Sequence, residues 1–182
     1  MPETQASRVP SGILETIVET KRLEVQALLP HEPELRSRAH NAPPSMDLVE
    51  AFRRGEEVAV MAEVKRRSPG AGPIRPDLNP GELGRAYESA GAAAISVLTD
   101  TEYFGGKLGD LKEVRSSVTI PVFRKDFILH PVQLAEARAA GADGTLLIAR
   151  ILSDAEVASL YREALGLGLT PLVEVHDRGE LD

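Results

Sequence analysis

Glu63-Val64-Lys65-Arg66-Arg67-Ser68-Pro69 carries ionisable side chains directly out of an apolar run, Val58 to Val64, that otherwise reads as a buried strand. Side chains of a strand alternate between its two faces, so Glu63 and Lys65 point one way while Ala62 and Val64 point the other. A carboxylate and an ammonium on one lining are each costly to take out of water alone. They must pair or await a charged ligand, and a catalytic cleft is one place where they do both.

The same anomaly recurs in Phe123-Arg124-Lys125-Asp126-Phe127, where three consecutive ionisable residues lie between apolar neighbours. Between and beyond these two stretches run short Val- and Ile-rich segments near 58–65, 94–99, 120–125, 145–149 and 170–176, each followed by a helix-like segment. Their starts lie 36, 26, 25 and 25 residues apart, the spacing of repeated βα units. Asn79-Pro80 opens one helix, with Leu83, Ala86, Tyr87 and Ala90 expected inward. Pro131 opens another, with Leu134, Ala135 and Arg138 inward. Ser153 and Glu156 form a capping box for a third. Gly91, Gly141 and Gly166 or Gly168 stand where such helices should stop. Upstream, Ser11 can cap a helix bearing Ile13, Leu14, Ile17, Val18, Val25 and Leu28, and Ser45 can cap a second through Leu48, Val49 and Phe52.

An α/β order of this kind fits an open doubly wound sheet or a closed eight-stranded barrel. Ser68-Pro69-Gly70-Ala71-Gly72-Pro73 lacks the G-x-G-x-x-G spacing that a dinucleotide site requires after the first strand. Polar residues recur instead at strand ends: Lys65, Thr99, Lys125, Arg150, then Glu174 and His176. Barrel enzymes build their sites there. A complete barrel takes roughly 250 residues, so the sequence reads as about the first five βα units of one.

Composition excludes several classes. The 182 residues can bury one sizeable core, and a net charge of −7 argues against a nucleic-acid or anionic-membrane partner. There is no cysteine, and His31, His40, His130 and His176 have no paired-ligand spacing, so a metal site built by the protein is not expected. The first thirty residues lack an apolar core behind a basic start, and no apolar stretch reaches membrane-spanning length. The cytoplasm is the expected address.

Two lysines facing one mouth suggest an anionic substrate. On the fifth strand, Leu172-Val173-Glu174-Val175-His176 places Glu174 and His176 opposite Val173 and Val175. If the valines pack outward, the carboxylate points inward, where an acid near two lysines can give or take a proton. A structural salt bridge is an equally plain reading of Glu174, and an exposed strand end is the plain reading of Lys125. His176, Arg150 and Thr99 take the plain reading.

Taken together, several blocks resemble indole-3-glycerol phosphate synthases. They are Leu14-x-x-Ile17-x-x-x-Lys21-x-x-Glu24-Val25, Ala62-Glu63-Val64-Lys65-x-x-Ser68-Pro69, Ala94-Ile95-Ser96-Val97-Leu98-Thr99-Asp100, Phe104-Gly105-Gly106, Pro121-Val122-x-Arg124-Lys125-Asp126-Phe127, Gly141-Ala142-Asp143-x-x-Leu146-Leu147-Ile148 and Leu172-Val173-Glu174-Val175-His176. The resemblance spans nearly the whole chain. It implies a (β/α)8 TIM barrel, with residues 1–50 as a helical extension over its mouth and residues 51–182 supplying strands one to five. The implied chemistry is a carboxy-lyase step of tryptophan biosynthesis on a sugar-phosphate anion, 1-(2-carboxyphenylamino)-1-deoxyribulose 5-phosphate, with no cofactor or metal. Matched motif for motif, Lys125 is the general acid, and Lys65 holds the substrate carboxylate with Glu63 beside it. Glu174 is the base for dehydration, Ser68 lines the mouth, and Phe104 and Phe127 sandwich the aromatic ring. Which lysine acts as acid at which step stays open.

The chain departs from the family in having Lys107 and Gly70 where serines are usual. It also ends before the Asn of the sixth strand, the Glu-Ser-Gly of the seventh and the phosphate grip of the last two. Inactivity of this chain alone is therefore expected. The other reading is a non-catalytic truncated paralogue, or half of a split barrel, pairing through its open edge. A phosphoribosylanthranilate isomerase fails on the Glu-x-Lys and Arg-Lys-Asp-Phe blocks.

Overall fold

A computed structural model describes residues 12–54 and 58–180. The N-terminal part is helical: α1 (Ile13–Leu28), α2 (Glu32–His40) and α3 (Leu48–Arg53). Then come β1 (Met61–Val64), a small antiparallel hairpin of β2 (Arg67–Ser68) and β3 (Gly72–Pro73), and four further βα steps. These are α4 (Pro80–Ser89), β4 (Ala94–Leu98), α5 (Leu108–Ser117), β5 (Val122–Lys125), α6 (Pro131–Ala139), β6 (Gly144–Ile148), α7 (Asp154–Gly166) and β7 (Thr170–Glu174).

The main sheet is wholly parallel in the order β1-β4-β5-β6-β7. Each strand joins the growing edge beside its predecessor, whereas a doubly wound sheet would turn back past its first strand. The five strands are thus a partial wall of a (β/α)8 barrel. Register puts Glu63 beside Ser96, Ser96 beside Phe123, Phe123 beside Gly144, and Gly144 beside Thr170. Register neighbours share a face, so this row lies on the concave side, and Leu98 with Lys125 stands one row nearer the strand ends. The Phe123 ring fills the space a side chain on Gly144 would need: a Cβ there would fall 2.9 Å from the ring and 2.7 Å from the Thr170 carbonyl oxygen. On the opposite face, Ile95, Val97 and Leu147 are fully buried and join the core with Leu111, Val114, Leu134 and Leu160 of the helices.

The N-terminal segment runs the height of the wall. From α1 at the strand C-termini it passes down α2, whose Leu35 and Ala39 pack on Val132 and Ala135 of α6. It reaches the other end of the sheet, where the Ser45 hydroxyl donates to the Gly168 carbonyl and the Met46 amide to Asp143.

Several expectations are corrected. Val58 and Val60 are 91% and 56% exposed, and the strand begins only at Met61, the first residue with a register partner on β4. Ser45 does not cap α3, because its hydroxyl serves Gly168. Asp47 does so, accepting from the Glu50 amide. In α4 the buried residues are Pro80, Gly81 and Gly84, while Ala86 and Ala90 are exposed, because the glycine face lets the helix approach Val114 and Val118 closely. Ser11 lies outside the described residues. The α7 capping box of Ser153 and Glu156 is present, and Leu134, Ala135 and Arg138 are buried as expected.

Candidate functional site

Glu63 lies between two lysines. Lys65 Nζ is 2.6 Å from Glu63 Oε1, and Lys125 Nζ is 2.7 Å from Oε2. The strands dictate this: Glu63 and Lys65 share a face two residues apart, while Lys125 ends β5 and reaches across β4, whose intervening concave residues are Ser96 and Leu98. Partial burial of Glu63 opposes its ionisation, but the hydrogen bonds from Lys125 and Lys65 prevail and hold its carboxyl below the usual range. The side chains of Lys65 and Lys125 remain 32% and 38% exposed, so both ammonium groups stay open to a ligand.

Beside them is a cavity of about 340 Å³ whose walls include Leu98, Phe104, Phe127, Leu146 and Ile148, with Ile13, Leu14 and Ile17 of α1 across the top. Lys125, Asp126, Glu174 and His176 supply its polar groups. Glu174 sits near the upper end of β7 and is joined to His176 Nε2 at 2.9 Å. The Phe104 and Phe127 rings lie 6.0 Å apart at 40°, touching one another rather than facing across a slot. The Ser68 hydroxyl accepts from the Ala71 amide at 3.2 Å within the hairpin turn, and its neighbour Pro69 reaches the cavity. A hollow of about 380 Å³ beside Met46 and Ile120, at the opposite end of the strands, holds none of these groups.

Behind the cavity lies a buried charge network whose centre has no assigned role in the sequence reading. Lys21 of α1 is 1% exposed. Its ammonium lies 2.7 Å from Glu24, 3.0 Å from Asp100 and 2.9 Å from Asp126. Burial disfavours that charge, but Asp126, Glu24 and Asp100 more than restore it, and the ammonium holds its proton more tightly than a free lysine. Asp126 also meets Arg124 at 3.0 Å, and Arg124 reaches Glu136 at 2.8 Å. Burial pushes the Asp126 carboxyl up, but Arg124, Lys21 and the Thr99 hydroxyl bring it down to about 2. Thr99 is therefore structural, as is Arg150, which pairs with Glu180 and Asp177. One signal for Lys21 was present: it stands four residues from both Ile17 and Val25, on the buried stripe of its helix.

Among the described residues, no group of three or more His, Asp or Glu is arranged for a metal ion, and no helix is long and apolar enough to cross a membrane.

The family model described as indole-3-glycerol phosphate synthase matches residues 14–182. An indole-3-glycerol phosphate synthase of Microcystis aeruginosa is 44% identical over 185 aligned residues, covering 100% of this chain and 61% of that protein. One from Mycobacterium ulcerans is 45% identical over 175 residues, covering 95% and 64%, and one from Leptospira interrogans is 43% identical over 175, covering 96% and 66%. The chain thus spans about three fifths of the length of the curated relatives it matches. With a match of this extent carried by a parallel wall of successive βα units, the chain belongs to the indole-3-glycerol phosphate synthase family.

Proposed function

We propose that the protein to which this chain belongs closes the indole ring of 1-(2-carboxyphenylamino)-1-deoxyribulose 5-phosphate, with loss of carbon dioxide and water, in tryptophan biosynthesis. The observation that carries this reading is two ammonium groups on one carboxylate, beside an aromatic-walled cavity that also presents Glu174. Lys65 holds the substrate carboxylate, and Glu63 spaces the two lysines. As the ring carbon attacks the ketone and the new carbon–carbon bond forms, Lys125 gives a proton to the ketone oxygen. Carbon dioxide leaves and the ring regains aromaticity. The hydroxyl then departs as water, taking a proton from an ammonium group of the site, as Glu174 takes the ring N–H proton, and the indole is complete when the nitrogen regains a proton and the adjacent CH2 gives one up. Phe104 and Phe127 offer the aromatic ring one apolar wall as they stand, and would have to part to enclose it. Ser68 takes part through the hairpin that it steadies at the mouth.

Residues 1–50 act in this reading as a helical extension of the barrel that residues 51–182 begin, and the cytoplasm is its setting. Lys125 and His176 are the basic side chains lining the cavity among the described residues, so the phosphate is expected to need further strands, pairing at the free edges of β1 and β7. The test is indole fluorescence after incubating the purified chain with substrate, alone and mixed with a fragment of a relative that supplies the remaining strands. Turnover only in the mixture is expected. A folded mixture that leaves the substrate unconverted would overturn the proposal.

A further inference from the structure

We infer that Lys21 is a positioning residue: through Asp100 and Asp126, its buried ammonium fixes where Lys125, Phe104 and Phe127 stand. The inference deepens the proposed function and rests on it for the role of Lys125, but its geometry is independent.

The two aspartates are each one link from the cavity. Asp126 follows Lys125 directly in the chain, and its Oδ1, the atom that meets Lys21, also accepts the Phe127 amide at 2.9 Å. Asp100 closes the end of β4. Its Oδ2 meets Lys21, while its Oδ1 accepts the Tyr103 amide at 2.7 Å and the Phe104 amide at 3.1 Å. The same helix face holds that loop again, since Thr20 and Tyr103 share a hydroxyl hydrogen bond of 2.7 Å. One ammonium therefore ties α1 to the ends of two neighbouring strands and to both aromatic walls.

Charge makes the tie obligatory. Asp100 is 0% exposed, and among the described residues Lys21 is its only ion-pair partner, whereas Asp126 also has Arg124. Without the Lys21 ammonium, Asp100 has no cation and two carboxylates repel each other at the strand ends. The least costly relief is for the loop after β4 and the segment after Lys125 to move apart. That movement takes Phe104 from Phe127 and draws Lys125 from Glu63.

The test uses the full chain with Lys21→Met, which removes the shared ammonium and leaves Asp100 and Asp126 both charged. Three readings are taken against the parent: acetylation of Lys125 relative to exposed Lys112 by a succinimidyl ester, amide exchange at Phe127 and Phe104, and the fluorescence of 2-(methylamino)benzoate as an aromatic carboxylate probe. The expected result is at least a threefold rise in the Lys125:Lys112 ratio and faster exchange at both phenylalanines. Probe binding weakens roughly tenfold, and exchange within β4 and β5 stays as in the parent.

A folded variant with an unchanged labelling ratio and unchanged exchange overturns the inference. If Lys21→Met does not fold, Asp126→Asn decides by the same ratio, since it cuts the ion pair adjoining Lys125 while leaving Lys21 with Asp100 and Glu24. A parent that fails to bind the probe counts against the proposed function alone, because labelling and exchange still decide the role of Lys21.

Discussion

Two buried aspartates, Asp126 at the C-terminal ends of the strands and Asp143 at the N-terminal ends, are put to different uses by the same wall. Asp143 accepts the Met46 amide on one oxygen, and Arg115 with the Val122 amide on the other, each at 2.8 Å. Those partners clamp the N-terminal segment and the start of β5, and the cluster ends there. Asp126 sits in a chain of charges that passes through Lys21 and Arg124 and adjoins Lys125, a lysine still 38% exposed. One end of the sheet closes on itself, while the other ends in groups with capacity left over. That division is what a barrel with its chemistry at the strand C-termini requires.

The contrast can be broken most directly at Lys125. In a chain completed by the remaining strands, Lys125→Met is expected to lower turnover roughly 10²- to 10⁴-fold, the usual worth of a positioned acid. Its partly exposed ion pair costs less than about 1 kcal/mol in urea unfolding. Asp143→Ala should do the reverse, with about 3–5 kcal/mol of stability lost in the same urea titration because Arg115 and two backbone amides lose their acceptor. Activity per folded molecule should change little. If Asp143→Ala spares stability, the N-terminal end is not the clamp described.

Acid should act on the upper cluster. The Asp126 carboxyl lies at about 2 in the fold against 3.8 for a free aspartate. A folded value below the unfolded one gives stability that is complete above about pH 4 and is lost as pH falls toward 2, worth about 2 kcal/mol. Circular dichroism of the parent and of Asp126→Asn between pH 5 and 2 should show this loss in the parent and a smaller one in the variant. The smallest effect is expected at Lys107, which precedes α5 without a side-chain cap. Lys107→Ser should add about 1 kcal/mol to stability, read as a rise in the thermal midpoint, with the Lys125 contacts untouched.

Much of this is legible in the sequence because β strands leave period-two patterns and charges break them visibly. The anomalies at Glu63-Val64-Lys65 and Arg124-Lys125-Asp126 mark Glu63 beside Lys65 and two lysines at one mouth, and the even spacing foretells the order of the wall, whereas the contact of Glu63 with Lys125 emerges only from the register across β4. What stays hidden is whatever depends on distant partners. α5 begins without a cap and so leaves no starting signal. The Ser45 hydroxyl finds Gly168, 123 residues away, and gives up the local role that its type suggests. Lys21 looks like one more polar residue on an amphipathic helix until Asp100 and Asp126 are brought beneath it.

The pairing of Phe123 with Gly144 sets a depth gauge. The ring occupies the side-chain volume Gly144 forgoes, one row below Lys125, and both residues are buried. Leu98, Lys125 and Leu146 line the cavity and Phe123 does not, so the ring fills the interior beneath that row and keeps the cavity shallow. Phe123→Ala would leave a void beneath Leu98 and Leu146 into which the cavity can deepen, without altering a single ionisable group.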